Sequence, residues 1–393
     1  MSSPLANIYA RLPVSFTHGQ GVWLWDSQGR KVLDGMAGIG VSCLGHGHPK
    51  LVKAIAEQAA RLIHTSNLYE VPEQAALAER IVQISGMQEV LFANSGSEAN
   101  EAAIKAARYF GHKQGNEFPH IIVMESSWHG RTLGTLAATG SDKARAGFGP
   151  LPGGFPQVPY NDLDAVRRAG DAEPRVVAVL LEVLQGEGGI RPSDAAYIQG
   201  LRALCDERGW LLMIDEVQSG IGRTGKWLAH QWADVRPDVI TLAKGLGGGV
   251  PIGAAAFAGR AAGVFGPGNH GTTFGGGPLV CAAALATLNA LEEEKLLENA
   301  HTVGQYLKQR LANDLQGVQG VQEVRGRGLM LGIELARPCG VLARQALDAG
   351  LLINVTREKV VRLLPPLVIT QAEADQLADI LVPLIKQFLA EQA

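Results

Sequence analysis

Trp210-Leu211-Leu212-Met213-Ile214-Asp215 is an apolar run of strand length that ends on a carboxylate, and Asp238-Val239-Ile240-Thr241-Leu242-Ala243-Lys244 is a second that ends on an amine. Short runs without polar alternation read as strands buried on both faces. Similar runs lie at Val90 to Ala93, Ile121 to Met124, Val176 to Leu181 and Ala254 to Ala258. Helical patterns separate several of them, notably Ser97 to Phe110 and Tyr197 to Arg208. Strands alternating with helices predict an α/β fold, a mainly parallel sheet covered on both faces. Open sheets of this kind bind ligands beyond the carboxyl ends of their strands. Asp215 and Lys244 are therefore expected to project at one edge.

Outward from these runs, the composition narrows the class. With 393 residues, 46% hydrophobic and 19% charged, the chain has apolar surface enough for a large core. A net charge of −3 leaves no basic field for nucleic acid or an anionic membrane. The longest apolar runs are too short to span a bilayer, and Met1 to Phe16 lacks the pattern of a signal peptide, so a cytoplasmic location is expected. Cys43, Cys205, Cys281 and Cys339 are scattered without a Cys-x-x-Cys pair, which predicts buried thiols and neither a zinc site nor a disulfide framework. His46 and His48 have no ligand cluster nearby, so a structural turn is expected there and no metal.

After Gly277-Pro278 an Ala, Leu and Glu stretch to about Leu315 reads as helix leaving the sheet. The rest reads as a smaller α+β unit whose last helix opens on a capping box, Thr370 to Glu373, with a possible bend at Pro383. The division expected is an N-terminal segment 1–50 joining the small domain, a large domain 51–285 and a small C-terminal domain 286–393.

Gly220-Ile221-Gly222-Arg223-Thr224-Gly225 matches the dinucleotide pattern letter for letter, which keeps a nucleotide-binding protein in view as an alternative. The context argues against it, because Asp215-Glu216-Val217-Gln218-Ser219 separates these glycines from the strand end. Extended to Lys226 the stretch nearly matches a phosphate-binding loop, but Trp227 stands where a hydroxyl must reach magnesium. The glycines are expected to form a turn.

The Asp215 and Lys244 pair carries more. A lysine between an apolar strand and Gly245-Leu246-Gly247-Gly248-Gly249 is partly desolvated, which frees its amine for Schiff-base formation. A buried aspartate is the partner that keeps a pyridine nitrogen protonated. Ala93-Asn94-Ser95-Gly96-Ser97-Glu98-Ala99-Asn100 adds a strand end, a turn and a helix start, with Ser95 and Glu98 spaced as a capping box. Free N–H groups and the positive helix end there would hold a phosphate.

These segments, with Trp128-His129-Gly130-Arg131-Thr132, Glu182-Val183-Leu184-Gln185-Gly186-Glu187-Gly188-Gly189 and Val361-Arg362-Leu363-Leu364-Pro365-Pro366-Leu367, occur in one family's order. The chain resembles the subgroup III, fold-type I pyridoxal-phosphate aminotransferases, most closely those acting on N-acetylornithine. That resemblance implies a large seven-stranded-type sheet domain with a smaller domain, pyridoxal 5'-phosphate on Lys244, and a homodimer with shared active sites. It assigns Gly96 and Ser97 to the cofactor phosphate, Trp128 to a ring face where many relatives carry Phe or Tyr, and Asp215 to the pyridine nitrogen. Glu216, Val217 and Gln218 fall around the ring, with Gln218 near its oxygen, and Thr273 reaches the neighbouring subunit's phosphate. Arg131, Thr272 and Ile39 are implied at the substrate, Arg131 on its distant carboxylate. Ile39 stands where ornithine enzymes have a tyrosine for a free α-ammonium, and 4-aminobutyrate enzymes also have isoleucine. Arg362 would take the α-carboxylate of glutamate or 2-oxoglutarate, with Glu187 covering it in the other half-reaction. The expectation is transfer of the δ-amino group of N-acetylornithine to 2-oxoglutarate. Succinylornithine and 4-aminobutyrate aminotransferases are the near alternatives, and an aminomutase or decarboxylase the farther one.

Overall fold

In the computed structural model, which describes residues 4–391, the apolar runs form one seven-stranded sheet. In chain order its strands are β1 (Glu89–Ala93), β2 (His120–Met124), β3 (Gln157–Val158), β4 (Val176–Leu181), β5 (Leu211–Asp215), β6 (Val239–Leu242) and β7 (Gly253–Phe257). Their order in space is β1-β7-β6-β5-β4-β2-β3. Neighbours from β3 to β6 pair in parallel, while β7 is antiparallel to both β6 and β1. The expected α/β architecture is therefore present, and β3 is an addition: two residues carry no periodic signal.

Every residue of β4, β5, β6 and β7 is buried, which is why their letters do not alternate in polarity. The alternation is spatial. Ile122, Leu181 and Ile214 pack into one core, and Val123, Leu180 and Met213 into the core on the opposite face.

Helix α1 (Gly96–Lys113) starts where β1 ends. Its cap is half of what the spacing predicts. Ser95 Oγ accepts the Glu98 N–H at 3.2 Å, but the Glu98 carboxylate returns to Asn94 and not to Ser95. Asn94 offers one Glu98 oxygen two donors, its backbone N–H at 2.6 Å and its amide at 2.8 Å, where Ser95 offers one.

The Ala, Leu and Glu stretch is two helices, α2 (Pro278–Glu293) and α3 (Leu296–Asp314), broken at Lys295, whose φ is 53°. A second, wholly antiparallel sheet follows: β8 (Val321–Arg327), β9 (Met330–Leu335), β10 (Asn354–Thr356) and β11 (Val360–Leu363), in the order β8-β9-β11-β10. Helix α4 (Gln371–Ala390) has both halves of its Thr370–Glu373 capping box and continues past Pro383. The N-terminal strands Phe16–Gln20, Trp23–Asp26 and Lys31–Asp34 form a small sheet with Leu351–Leu352 from the far end of the chain. Residues 1–3 and 392–393, the outer ends of the segments 1–50 and 286–393, lie outside the described residues.

Gly220 to Gly225 is a succession of turns and opens no helix. Its Arg223 is buried, with Nη1 donating to Leu329 O at 3.1 Å and Pro365 O at 2.5 Å, so the stretch fastens the second sheet's surroundings to the end of β5. His46 Nε2 lies 2.8 Å from Asp34 Oδ2, and His48 Nε2 lies 3.2 Å from Glu294 Oε2.

Gly304 on α3 faces Gly328 so closely that an added Cβ would lie 2.2 Å from the Gly328 carbonyl oxygen. Alanine is the better helix former by about 1 kcal/mol. Gly304→Ala is nevertheless expected to lower stability by about 3 kcal/mol, because backbone cannot yield as a side chain does. Urea unfolding checks this, and a stabilised variant would contradict so close an approach.

Candidate active site

Parallel pairing sets Asp215 of β5 opposite Thr241 of β6, so the chain leaves both strands at one edge. Lys244 follows three residues after Thr241 with φ of 45°, a left-handed conformation costing a non-glycine residue about 1–3 kcal/mol. Asp215 and Lys244, as the sequence predicts, line one cavity of about 370 Å³, together with Gly96, Ser97, Trp128, Glu187, Val217 and Gln218. Lys244 makes no hydrogen bond or ion pair among the described residues. Burial pulls its pKa below the usual lysine value, with the Asp215 carboxylate opposing and the Arg362 cation adding to the fall. A lysine so placed is more often a free amine and thus a nucleophile.

Asp215 is held by three contacts. Asn100 Nδ2 donates to Oδ2 at 2.8 Å, His129 Nδ1 lies 2.8 Å from the same oxygen, and the Val217 N–H donates to Oδ1 at 3.0 Å. The Thr241 hydroxyl donates to Asn100 Oδ1 at 2.8 Å, which turns the amide so that its NH2 faces the carboxylate. Asn100, His129 and Thr241 were not read as site residues. Thr241 is the one hydroxyl in an otherwise apolar strand, and that was the available signal.

Gly96 and Ser97, the first residues of α1, line the cavity at the positive end of the helix. The approach depends on Gly96, where an added Cβ would lie 2.7 Å from Val217 Cγ1. Ser97 Oγ accepts the Arg131 N–H at 3.2 Å, and the exposed Arg131 guanidinium sits 4.5 Å from the Trp128 ring centroid. Glu182 also lines the cavity and was not read as a site residue. Burial first, and the Asp215 carboxylate next, push its pKa up to about 7.

Arg362, buried on β11, donates from Nη1 to Glu187 Oε1 at 2.6 Å and Gln218 Oε1 at 3.2 Å, and from Nε to Asn354 Oδ1 at 2.8 Å. Like Arg131 and Arg362, the remaining expected residues are not among those lining the cavity. The Glu216 carboxylate turns away to the backbone N–H groups of Ala229 and His230 and the Ser219 hydroxyl. Ile39 packs on Leu184, Ile190, Met330 and Leu364. Thr272 Oγ1 accepts the Asn94 amide at 3.3 Å, and Thr273 is exposed beside His64 to Asn67.

A flat pyridine phosphate fits this donor set. An amine without partners, a buried carboxylate with one acceptor site to spare, an indole wall and a helix start that only glycine lets close meet in one space.

The chain matches the family described as aminotransferase class-III over residues 5–385. It is 76% identical over 392 residues to acetylornithine aminotransferase 1 of Bordetella bronchiseptica, with both chains covered completely. Identity to the acetylornithine aminotransferase of Nitrosomonas europaea is 55% over 387 residues, 98% of each chain. Among solved structures, the ornithine aminotransferase of Toxoplasma gondii superposes with a TM-score of 0.95 at 32% identity, over 99% of this chain and 94% of that one. The N-acetylornithine aminotransferase of Stenotrophomonas maltophilia superposes at 0.85 with 37% identity, over 98% of each.

Gly96→Ala should force Val217 aside and cost about 1–3 kcal/mol of stability. Adding Val217→Ala removes the obstructing methyls and should recover most of it; thermal unfolding of the single and double variants checks this. Equal loss in both would mean that Val217 does not set the glycine requirement.

Proposed function

The chain belongs to the class-III aminotransferases, and from that premise we infer that it transfers the δ-amino group of N-acetylornithine to 2-oxoglutarate, giving N-acetylglutamate semialdehyde and glutamate. Its cofactor is pyridoxal 5'-phosphate, as in the family. When bound, the cofactor supplies an aldehyde that takes up the substrate amine and a ring that accepts the electrons left as the amine-bearing carbon loses a proton. The observation that carries the proposal is the unpartnered Lys244 amine in one cavity with the hydrogen-bonded Asp215 carboxylate.

In this account Lys244 Nζ is the nucleophile that holds the cofactor and then the base that moves the proton. Asp215 would hold the pyridine N–H, the N–H groups at Gly96 and Ser97 would take the phosphate, and Trp128 and Gln218 would line the ring. Val217 lines the cavity and supports Gly96, while Glu216 lies outside the lining. Arg131, exposed beside Trp128, takes the carboxylate remote from the reacting amine, and Thr272 and Ile39 keep their assignment to the substrate although neither lines the cavity.

Arg362 and Glu187 account for two substrates in one pocket. The reacting end of N-acetylornithine has no carboxylate, and the 2.6 Å pair keeps Arg362 neutralised. With 2-oxoglutarate, Glu187 swings away and Arg362 takes the α-carboxylate through its planar fork.

Thr273 is not among the residues lining the Lys244 cavity of its own chain, and its segment lies on residues 62 to 69 through the Asn67 amide, which donates to Thr272 O at 3.0 Å. Exposed Leu62, Ile63, Leu68, Tyr69 and Phe274 make this region apolar. A second copy is the proposed cover, with Thr273 serving the partner's phosphate. Among the described residues no helix is long and apolar enough to cross a membrane, and the four buried thiols favour the reducing cytoplasm as the working location.

The test is a donor panel with 2-oxoglutarate. N-acetylornithine should give the highest kcat/KM, above N-succinylornithine, 4-aminobutyrate and ornithine; a higher value for any of these replaces the substrate assigned. Lys244→Ala should bind the cofactor without the borohydride-reducible yellow linkage and lose transamination, and wild-type turnover would refute its role. Arg362→Ala should raise KM for 2-oxoglutarate roughly tenfold to a hundredfold, the worth of a charge-assisted contact, with a smaller effect on the N-acetylornithine half-reaction.

A further inference from the structure

Glu182 follows the last residue of β4 and is 5% exposed, yet no lysine or arginine pairs with it among the described residues. Its two oxygens are spent separately. Oε1 accepts the Trp128 N–H at 2.9 Å, and Oε2 accepts the Gly186 N–H at 2.9 Å. Trp128 is the indole wall of the cavity, and Gly186 opens the turn that carries Glu187 to Arg362. A buried carboxylate without a cation is costly, and a glutamine would fill the same volume. A glutamine, however, has one acceptor, and its NH2 would oppose whichever N–H met it. Two struts to two different walls require two acceptors.

The turn is held beyond Gly186 as well. The Thr356 hydroxyl donates to Glu187 O at 2.7 Å, and Arg325 Nε donates to Gly189 O at 3.1 Å and Ile190 O at 2.9 Å. Crowding leaves little slack: an added Cβ on Gly186 would lie 2.2 Å from Gln218 Oε1, and one on Gly188 would lie 2.6 Å from Gln185 Oε1. The backbone on both sides of Glu187 is thus fastened, and only its side chain is left to swing.

We propose that Glu182 is a positioning residue that ties the indole wall to the Glu187 turn and thereby sets how firmly Glu187 covers Arg362, which decides between substrates with and without an α-carboxylate at the reacting end. This rests on the aminotransferase assignment of the same site. Loosening the strut uncovers Arg362, which favours α-carboxylate donors over N-acetylornithine.

The experiment uses Glu182→Gln holoenzyme and reads two quantities. Amide hydrogen exchange should quicken at least tenfold in peptides containing Trp128 or Gly186, while Leu211 to Asp215 is unchanged. In single-turnover half-reactions, kcat/KM for glutamate relative to that for N-acetylornithine should rise at least tenfold. A second variant, Thr356→Val, loosens the turn without touching the indole wall. It should shift the ratio the same way with no change of exchange at Trp128, and it keeps the proposal decidable if Glu182→Gln fails to fold. Equal losses for both donors overturn the proposal whatever the exchange, and so does a shifted ratio with unchanged exchange. If another ω-amine is the wild type's best donor, it replaces N-acetylornithine and the substrate assignment alone falls. If no amine is transferred, the aminotransferase assignment falls and exchange still decides whether the strut exists.

Discussion

A carboxylate buried without a lysine or arginine partner is the constraint on which the site depends. Asp215 is 3% exposed, and desolvating it is tolerable only because Asn100, His129 and the Val217 N–H are all aimed at it. Those partners come from a helix, a loop and the turn after β5. Each is located by the sheet: Thr241 on β6 sets the Asn100 amide, and β6 also delivers Lys244. The same pairing that buries the charge therefore brings the amine to it. A group that is cationic at its ring nitrogen would complement this carboxylate, which is the charge logic of the proposed pyridine site.

Around this fixed centre the substrate-facing groups are held less uniformly. Arg362 is buried and has three acceptors about it, but one of them, Glu187, sits on a glycine-flanked turn with its side chain partly open to solvent. A class-III aminotransferase must accept two partners in turn with a single set of cofactor contacts. In the proposed account the ring site stays rigid and one carboxylate moves, so that alternation between substrates needs no motion of the sheet. Glu182 belongs to the rigid part because it spends both oxygens on backbone.

The strands were legible because β4 to β7 are covered on both faces, and burial of that kind leaves unbroken apolar letters. β3 was not, since Gln157-Val158 is strand only through pairing with β2. The helical stretch to Leu315 was legible in type but not in number: Lys295, an ordinary helix former, takes a left-handed conformation between α2 and α3. Gly220 to Gly225, disfavoured as a nucleotide loop by its neighbours, is a run of turns that opens no helix, whereas the burial of Arg223 there depends on carbonyls at Leu329 and Pro365, over a hundred residues away.

By itself the sequence determined the α/β class, the edge at which Asp215 and Lys244 would emerge, and the glycine turn that opens helix α1, because each follows from short-range pattern: burial, period and turn chemistry. Only the tertiary structure decided that Asn100, Thr241 and His129 hold Asp215, that Glu216 faces away from the ring site, and that Glu182 spans two walls. Hydrogen bonds between side chains distant in the chain leave no periodic trace. Their partners are chosen by which surfaces the sheet brings within about 3 Å, and that distance exists only once the chain has folded.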